Sequence, residues 1–232
     1  MQTKTLTTMK SSLTTMKSSF RASGWAAIAS GTIGILAIAS LIGYLILRTS
    51  NTSDSILMNT FHDVGVSIQF LLLIPVVLAF HKMSQQRLSG ITQTSLTTGI
   101  VTICLVVLCL LLILPKIVSE ILYMLPQGIF GVWLIFICFR MKGILSKGLR
   151  RFGMIVGLGL TLVGFFFVGY IILVSTIPLR IPAPSLEEAS KIPITSANSY
   201  LHYFLDIGSL LGVLTLPFWT ILIGFKLFRK KS

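Results

Sequence analysis

The sequence predicts an all-α protein, a polytopic bundle of six transmembrane helices with the N- and C-termini cytoplasmic. Three observations carry this. The chain is 54% hydrophobic and only 11% charged, with a mean hydropathy of +0.92, which leaves too little polar surface to cover a water-soluble globule. Six apolar runs, at 24–47, 64–80, 98–114, 121–139, 152–177 and 201–225, are separated by polar connections, and most approach the roughly 20 residues needed to cross a hydrocarbon core. The runs are apolar all round rather than alternating, which excludes barrel strands.

The third observation is the sorting of charge. Lys4, Lys10, Lys17 and Arg21 precede the first run, and Lys82 and Arg87 follow the second. Arg140, Lys142, Lys147, Arg150 and Arg151 join the fourth to the fifth, and Lys226, Arg229, Lys230 and Lys231 end the chain. Positive connections stay in the cytoplasm, so both termini are expected there. Only Arg48, Lys116, Arg180 and Lys191 fall on the other side, together with the acids Asp54, Asp63, Glu120, Glu187, Glu188 and Asp206. The net charge of +13 is thereby spread over four segments at helix ends, where it faces anionic lipid headgroups rather than nucleic acid.

Residues 1–23 read as a cytoplasmic basic arm. It holds an exact heptad repeat, LTTMKSS at 6–12 and again at 13–19. As a helix it places Leu6, Met9, Leu13, Met16 and Phe20 in one stripe with Lys10 and Lys17 off it, a pattern suited to a membrane surface. A transit peptide shares this basic, Ser/Thr-rich, acid-free composition and is the alternative. The six-helix domain then covers 24–228, with a basic tail at 229–232.

Within the domain, Pro75, Pro126 and Pro217 each fall in a run and are expected to kink it. Ser30, Gly31 and Gly34, Gly153 and Gly157, and Gly208 and Gly212 are spaced for close approach of helices in lipid. Cys104, Cys109 and Cys138 have no CxxC spacing and read as packing. Lys116 and Glu120 stand one turn apart if their stretch is helical, which would pair them. The longest extracytoplasmic loop, 178–199, holds Pro178, Pro182, Pro184 and Pro193. Within it Ser185-Leu-Glu-Glu188 has the capping-box pattern for a short helix at 186–191. That loop is a spacer or a lid.

The ionisable residues of the spans carry the functional expectation. His202, Asp206 and Ser209 share a face of the sixth helix, while His62 and Asp63 open the second with Ser67 and Gln69 below them. An acid within a span costs about 2.5 to 3.5 kcal/mol on insertion scales and is usually turned toward protein or water. An outward-facing pocket for a ligand or proton is therefore expected from His62, Asp63, Gln69, His202, Asp206 and Ser209. The competing reading places His62 and His202 at the headgroup level, the latter beside Tyr200 and Tyr203.

No HExxH, GxSxG, GxxxxGK[ST] or GxGxxG occurs, so a non-enzymatic binding, transport-accessory or complex-associated role leads, without a cofactor. A metal-dependent membrane hydrolase on His62, His202 and Asp206 is the alternative, since imidazole and carboxylate suit zinc. Haem between His62 and His202 is a remoter one, with His81 at the opposite end. A purely structural subunit is the third reading, and a homodimer or membrane-complex partner fits any of them.

The run His62-Asp63-Val-Gly65, continuing through Gln69-Phe70 to Pro75, with Leu216-Pro217-Phe218-Trp219 and Gly224 before a basic tail, resembles an uncharacterised family of six-helix bacterial integral membrane proteins, a domain of unknown function. The resemblance spans roughly 24–230. It implies one multi-pass domain in a bacterial plasma membrane and no known activity.

Overall fold

The computed structural model describes residues 2–47, 52–85, 92–183 and 196–229. Side chains are described from Ser19 onward, and in the last helices from Asn198. Among the described residues the chain is helical throughout, and its β-structure is limited to an isolated bridge between Lys142 and Leu145. The helices are α1 (Gln2–Leu47), α2 (Thr52–Leu71), α3 (Ile74–Gln85), α4 (Gln93–Ile113), α5 (Met124–Arg140), α6 (Lys147–Leu173), α7 (Ser196–Gly208) and α8 (Leu216–Phe228). A 3-10 turn at Ile177–Leu179 and a π-helical turn at Ser209–Val213 complete the set.

These elements make six rods. Five are long and apolar enough to cross a membrane: Ser19–Leu47, Ser53–Gln85, Gln93–Ile113, Lys147–Leu173 and Asn198–Phe228. The sixth, α5, has the same character but only 17 residues. The arm at 1–23 does not form a separate helix. Its backbone continues α1 without a break, which makes α1 46 residues long, about 69 Å at 1.5 Å per residue.

Two prolines break rods and one begins one. Pro75 lacks the N–H that would bond Leu71, so the helix gives way at Leu72 and Leu73 and restarts as α3, with Val76 and Val77 both bonding the Leu73 carbonyl. Pro217 acts likewise between the π turn and α8, where Leu214 N–H reaches back to Ser209 at 2.9 Å. Pro126 instead lies in the first turn of α5, where no intrahelical donor is required. The expected kink there is absent because α5 starts at Met124 rather than at residue 121. Thr92 and Ser146 cap α4 and α6 by accepting from Ser95 and Leu149 backbone N–H groups.

The rods form a ring in the order α2/α3, α1, α7/α8, α6, α5, α4 and back to α2/α3. Small residues set the spacing. A methyl on Gly131 would lie 2.6 Å from the Gly157 carbonyl oxygen, and one on Gly128 2.5 Å from Gly164 Cα, so α5 and α6 touch backbone to backbone. Gly208 and Gly212 bring α7 and the π turn onto Gly159 of α6 in the same way, and Gly153 receives Cys138 Sγ and the Trp219 indole. The seam between α1 and the last rod is closed where Gly24 meets Gly224 and Trp25 meets Phe228. Farther along, α7 packs on α6.

Charge sorts along the ring axis. Lys82 Nζ donates to Ser19 Oγ at 3.1 Å and Trp219 Nε1 to the Leu149 carbonyl at 3.2 Å, which gathers the basic helix ends at one end of the bundle. Asn59 and Glu120 meet at the other, the acidic end. The connection from α4 to α5 is a series of turns with Lys116 at φ 57°, not a helix. Glu120 faces Asn59 rather than the expected partner Lys116, because the turn breaks the helical spacing that would have stacked them.

Candidate functional site

The polar residues of α2 lie deep in the protein, not at a solvated helix entrance. The helix starts at Thr52, so Asp63 is about 17 Å along the axis from the start of its rod. His62 and Asp63 are 6% and 8% exposed, and Ser67 and Gln69 are equally buried. The four belong to two different faces.

His62 and Gln69 form the seam with α1. Ser30 Oγ donates to the Gln69 carbonyl at 2.9 Å, the Gln69 side chain lies over Gly34, and Gly65 packs on Ala37. His62 Nδ1 lies 3.0 Å from the Ala37 carbonyl. A carbonyl only accepts, so Nδ1 carries the proton and Nε2 is the nitrogen left for a proton or ligand. Gln69, expected in the pocket, is thus a spacer between two helices.

Asp63 belongs to the other face. Asn59, Asp63, Ser67 and Phe70 follow one another at four, four and three residues, a single stripe of α2. Opposite it stand Glu120 and Tyr123, in the turns that lead into α5, and Gln127 and Phe130 in its first turns. The two sets are in register. At the acidic end Asn59 Nδ2 lies 3.5 Å from Glu120 Oε1, and deeper in, the Phe70 and Phe130 rings meet edge to face at 5.6 Å. Between these levels Asp63 interacts electrostatically with both Tyr123 and Glu120, and helix periodicity puts Ser67 opposite Gln127.

The result is a buried polar cluster above an aromatic layer, Phe130 being stacked in turn on Trp133 at 5.3 Å. Its groups are only partly satisfied. Ser67 Oγ donates to the Asp63 backbone carbonyl at 2.8 Å, as hydroxyls in apolar helices commonly do. Gln127 is 2% exposed and its Oε1 accepts no hydrogen bond. Among the described residues no donor bonds the Asp63 carboxylate. At its outer edge Glu120 is exposed and Tyr123 half-buried.

The residues expected to join from the last rod do not. His202 and Asp206 are exposed on α7, and His202 stacks against Phe166 of α6 with ring centroids 5.7 Å apart. Ser209 opens the π turn, half-buried. Among the described residues no hydrogen bond or ion pair joins this set to His62 or Asp63, because α7 packs on α6 while α2 packs on α1 and α4. Among the described residues no three His, Cys, Asp or Glu side chains are placed to hold a metal, so the set His62, His202 and Asp206 does not assemble. The helix expected at 186–191 lies outside the described residues. Glu120, Tyr123 and Gln127 were missed as site residues. The signal was Gln127 itself, an uncharged polar residue one turn into an apolar helix.

A protein that is helical throughout its described residues, with five helices among them long and apolar enough to cross a membrane, is the class these features define. No protein-family model, curated protein or solved structure matches the chain. The resemblance carried by His62 to Pro75 and by Leu216 to Gly224 therefore stands on those residues alone.

Proposed function

We propose that the chain is a multi-pass integral membrane protein, with its basic end and both termini in the cytoplasm of a bacterial cell, and that it binds a small polar ligand at the polar cluster between α2 and α5. The rods have the length and composition for insertion, and the gathering of basic helix ends supports the orientation. The acidic end then faces outward and the ligand enters past Asn59 and Glu120. The role is binding or transport-accessory rather than catalytic.

The observation that carries the reading is Asp63, a carboxylate buried in the middle of an apolar rod with no donor to satisfy it among the described residues. Inert helices rarely retain such a group, given its cost of about 2.5 to 3.5 kcal/mol on insertion scales. The test is a thermal-unfolding screen of purified protein against small solutes of positive, negative and zero charge, run beside Asp63→Asn. At about 100 times its Kd a ligand stabilises by about 2.7 kcal/mol. At least one class should raise the wild-type melting temperature and leave the variant unmoved. If no class moves the wild type, the binding role is lost and a structural subunit takes its place.

A further inference from the structure

The cluster's own chemistry names its ligand more closely. The inference rests on the binding role above, and adds the charge and type of what is bound.

Acceptors dominate the buried lining. Among the described residues the Asp63 carboxylate has no donor and the buried Gln127 Oε1 no partner, while Ser67 Oγ has committed its proton to a backbone carbonyl and keeps its lone pairs. Glu120 brings a second carboxylate to the outer edge. Neither acid forms an ion pair among the described residues. The remaining lining is aromatic, with Tyr123 at the side and Phe70 and Phe130 below.

These features discriminate among solutes. An anion would have to pass one carboxylate and face another. A neutral solute would bring no charge to offset a carboxylate in a low-dielectric site, where an acid without a counter-charge takes up a proton instead. A bare metal ion has more coordination positions than this oxygen set fills, and gains less from the rings. An ammonium group brings several N–H donors for separate acceptors, a positive charge for Asp63, and a favourable contact with aromatic faces. We propose that the α2–α5 cluster is a binding site for a small ammonium-type cation, ammonium or a short primary amine, held by Asp63 and Gln127 Oε1 and admitted between Asn59 and Glu120.

The experiment uses the full chain in detergent, prepared without amine buffers. Thermal unfolding and titration calorimetry are run with methylammonium chloride, ammonium chloride, sodium chloride and potassium chloride at matched ionic strength, with methanol as the neutral isostere. Saturable stabilisation by methylammonium or ammonium, and none by the others, is expected. Asp63→Asn should weaken binding by about a hundredfold and Gln127→Leu by about tenfold. Glu120→Gln, at an exposed position that does not burden folding, should weaken it by only two- to threefold, since an exposed charge is screened. Saturable binding of sodium, potassium, methanol or an anion in place of the ammonium cations overturns the inference and leaves the binding role standing. Equal ammonium affinity in wild type and Asp63→Asn overturns the site. An absence of binding by any solute removes both.

Discussion

The Nδ1 proton of His62 is held by the Ala37 carbonyl across 3.0 Å, a bond between two helices that small residues of α1 bring close together. Ser30, Gly34 and Ala37 let α2 approach closely enough for an imidazole to reach the backbone of α1. Replacing His62 by Ala removes the bond and leaves a void. The expected loss is about 2 kcal/mol in unfolding free energy, read from thermal unfolding in detergent. His62→Asn keeps a donor at a similar reach and should restore about half of it. Equal loss in both variants would show that volume, not the bond, holds the seam.

Glycines in α6 should differ sharply by position. At Gly159 a methyl would fall 2.5 Å from the Leu211 carbonyl carbon, backbone that has no side chain to move aside. Gly159→Ala is expected to cost about 1 to 3 kcal/mol by prising the π turn from α6. At Gly148 nothing lies within 4 Å, and Gly148→Ala should be neutral or stabilise by up to about 1 kcal/mol through helix propensity. Guanidinium or thermal melts of the two variants side by side decide the matter.

Trp133 reaches from α5 to α4, where its Nε1 donates to the Ser95 carbonyl at 2.7 Å and its ring covers Gly99. Trp133→Phe keeps most of the ring contact and loses the hydrogen bond. Stability should fall by about 1 kcal/mol. Gly99→Ala, which forces the indole outward, should cost at least as much, and the two losses should not add when combined. Additive losses in that double-mutant cycle would mean that ring and glycine act separately.

Asp63 and Asp206 are both acids in apolar rods, yet their removal should have opposite signatures. Asp63 is buried, interacts with a second carboxylate and has no donor among the described residues, so in ligand-free protein Asp63→Asn should raise stability by about 1 kcal/mol while removing most of the ligand stabilisation. Asp206 is exposed on α7, and Asp206→Asn should stay within about 0.5 kcal/mol of wild type and leave ligand stabilisation intact. A loss of ligand effect in Asp206→Asn would restore the pocket expected between the second and last rods.

Six rods, their approximate bounds and the gathering of basic residues at one end were legible in the chain. Each follows from local composition: apolar runs define rods, and Lys and Arg cluster beside their ends. The breaks at Pro75 and Pro217 were legible for the same reason, since a missing N–H acts within one turn. Pro126 misled because its effect depends on where the helix begins, and that was placed three residues too early.

Partnership between helices was not legible. His62 and Asp63 are adjacent in sequence, yet about 100° of helical rotation turns one toward the Ala37 carbonyl and the other toward Tyr123. His202 and Asp206 carry the same residue types on an equally apolar rod, and they are exposed because α7 packs chiefly on α6. Glu120 and Gln127 entered the site only through the register of α2 against α5, set by Asn59 at one level and Phe70 at another. Hydropathy and charge act along the chain and so determine which segments become rods and how their charges fall. Which faces of those rods meet depends on small residues and ring contacts from segments far apart in sequence, and only their packing decided it.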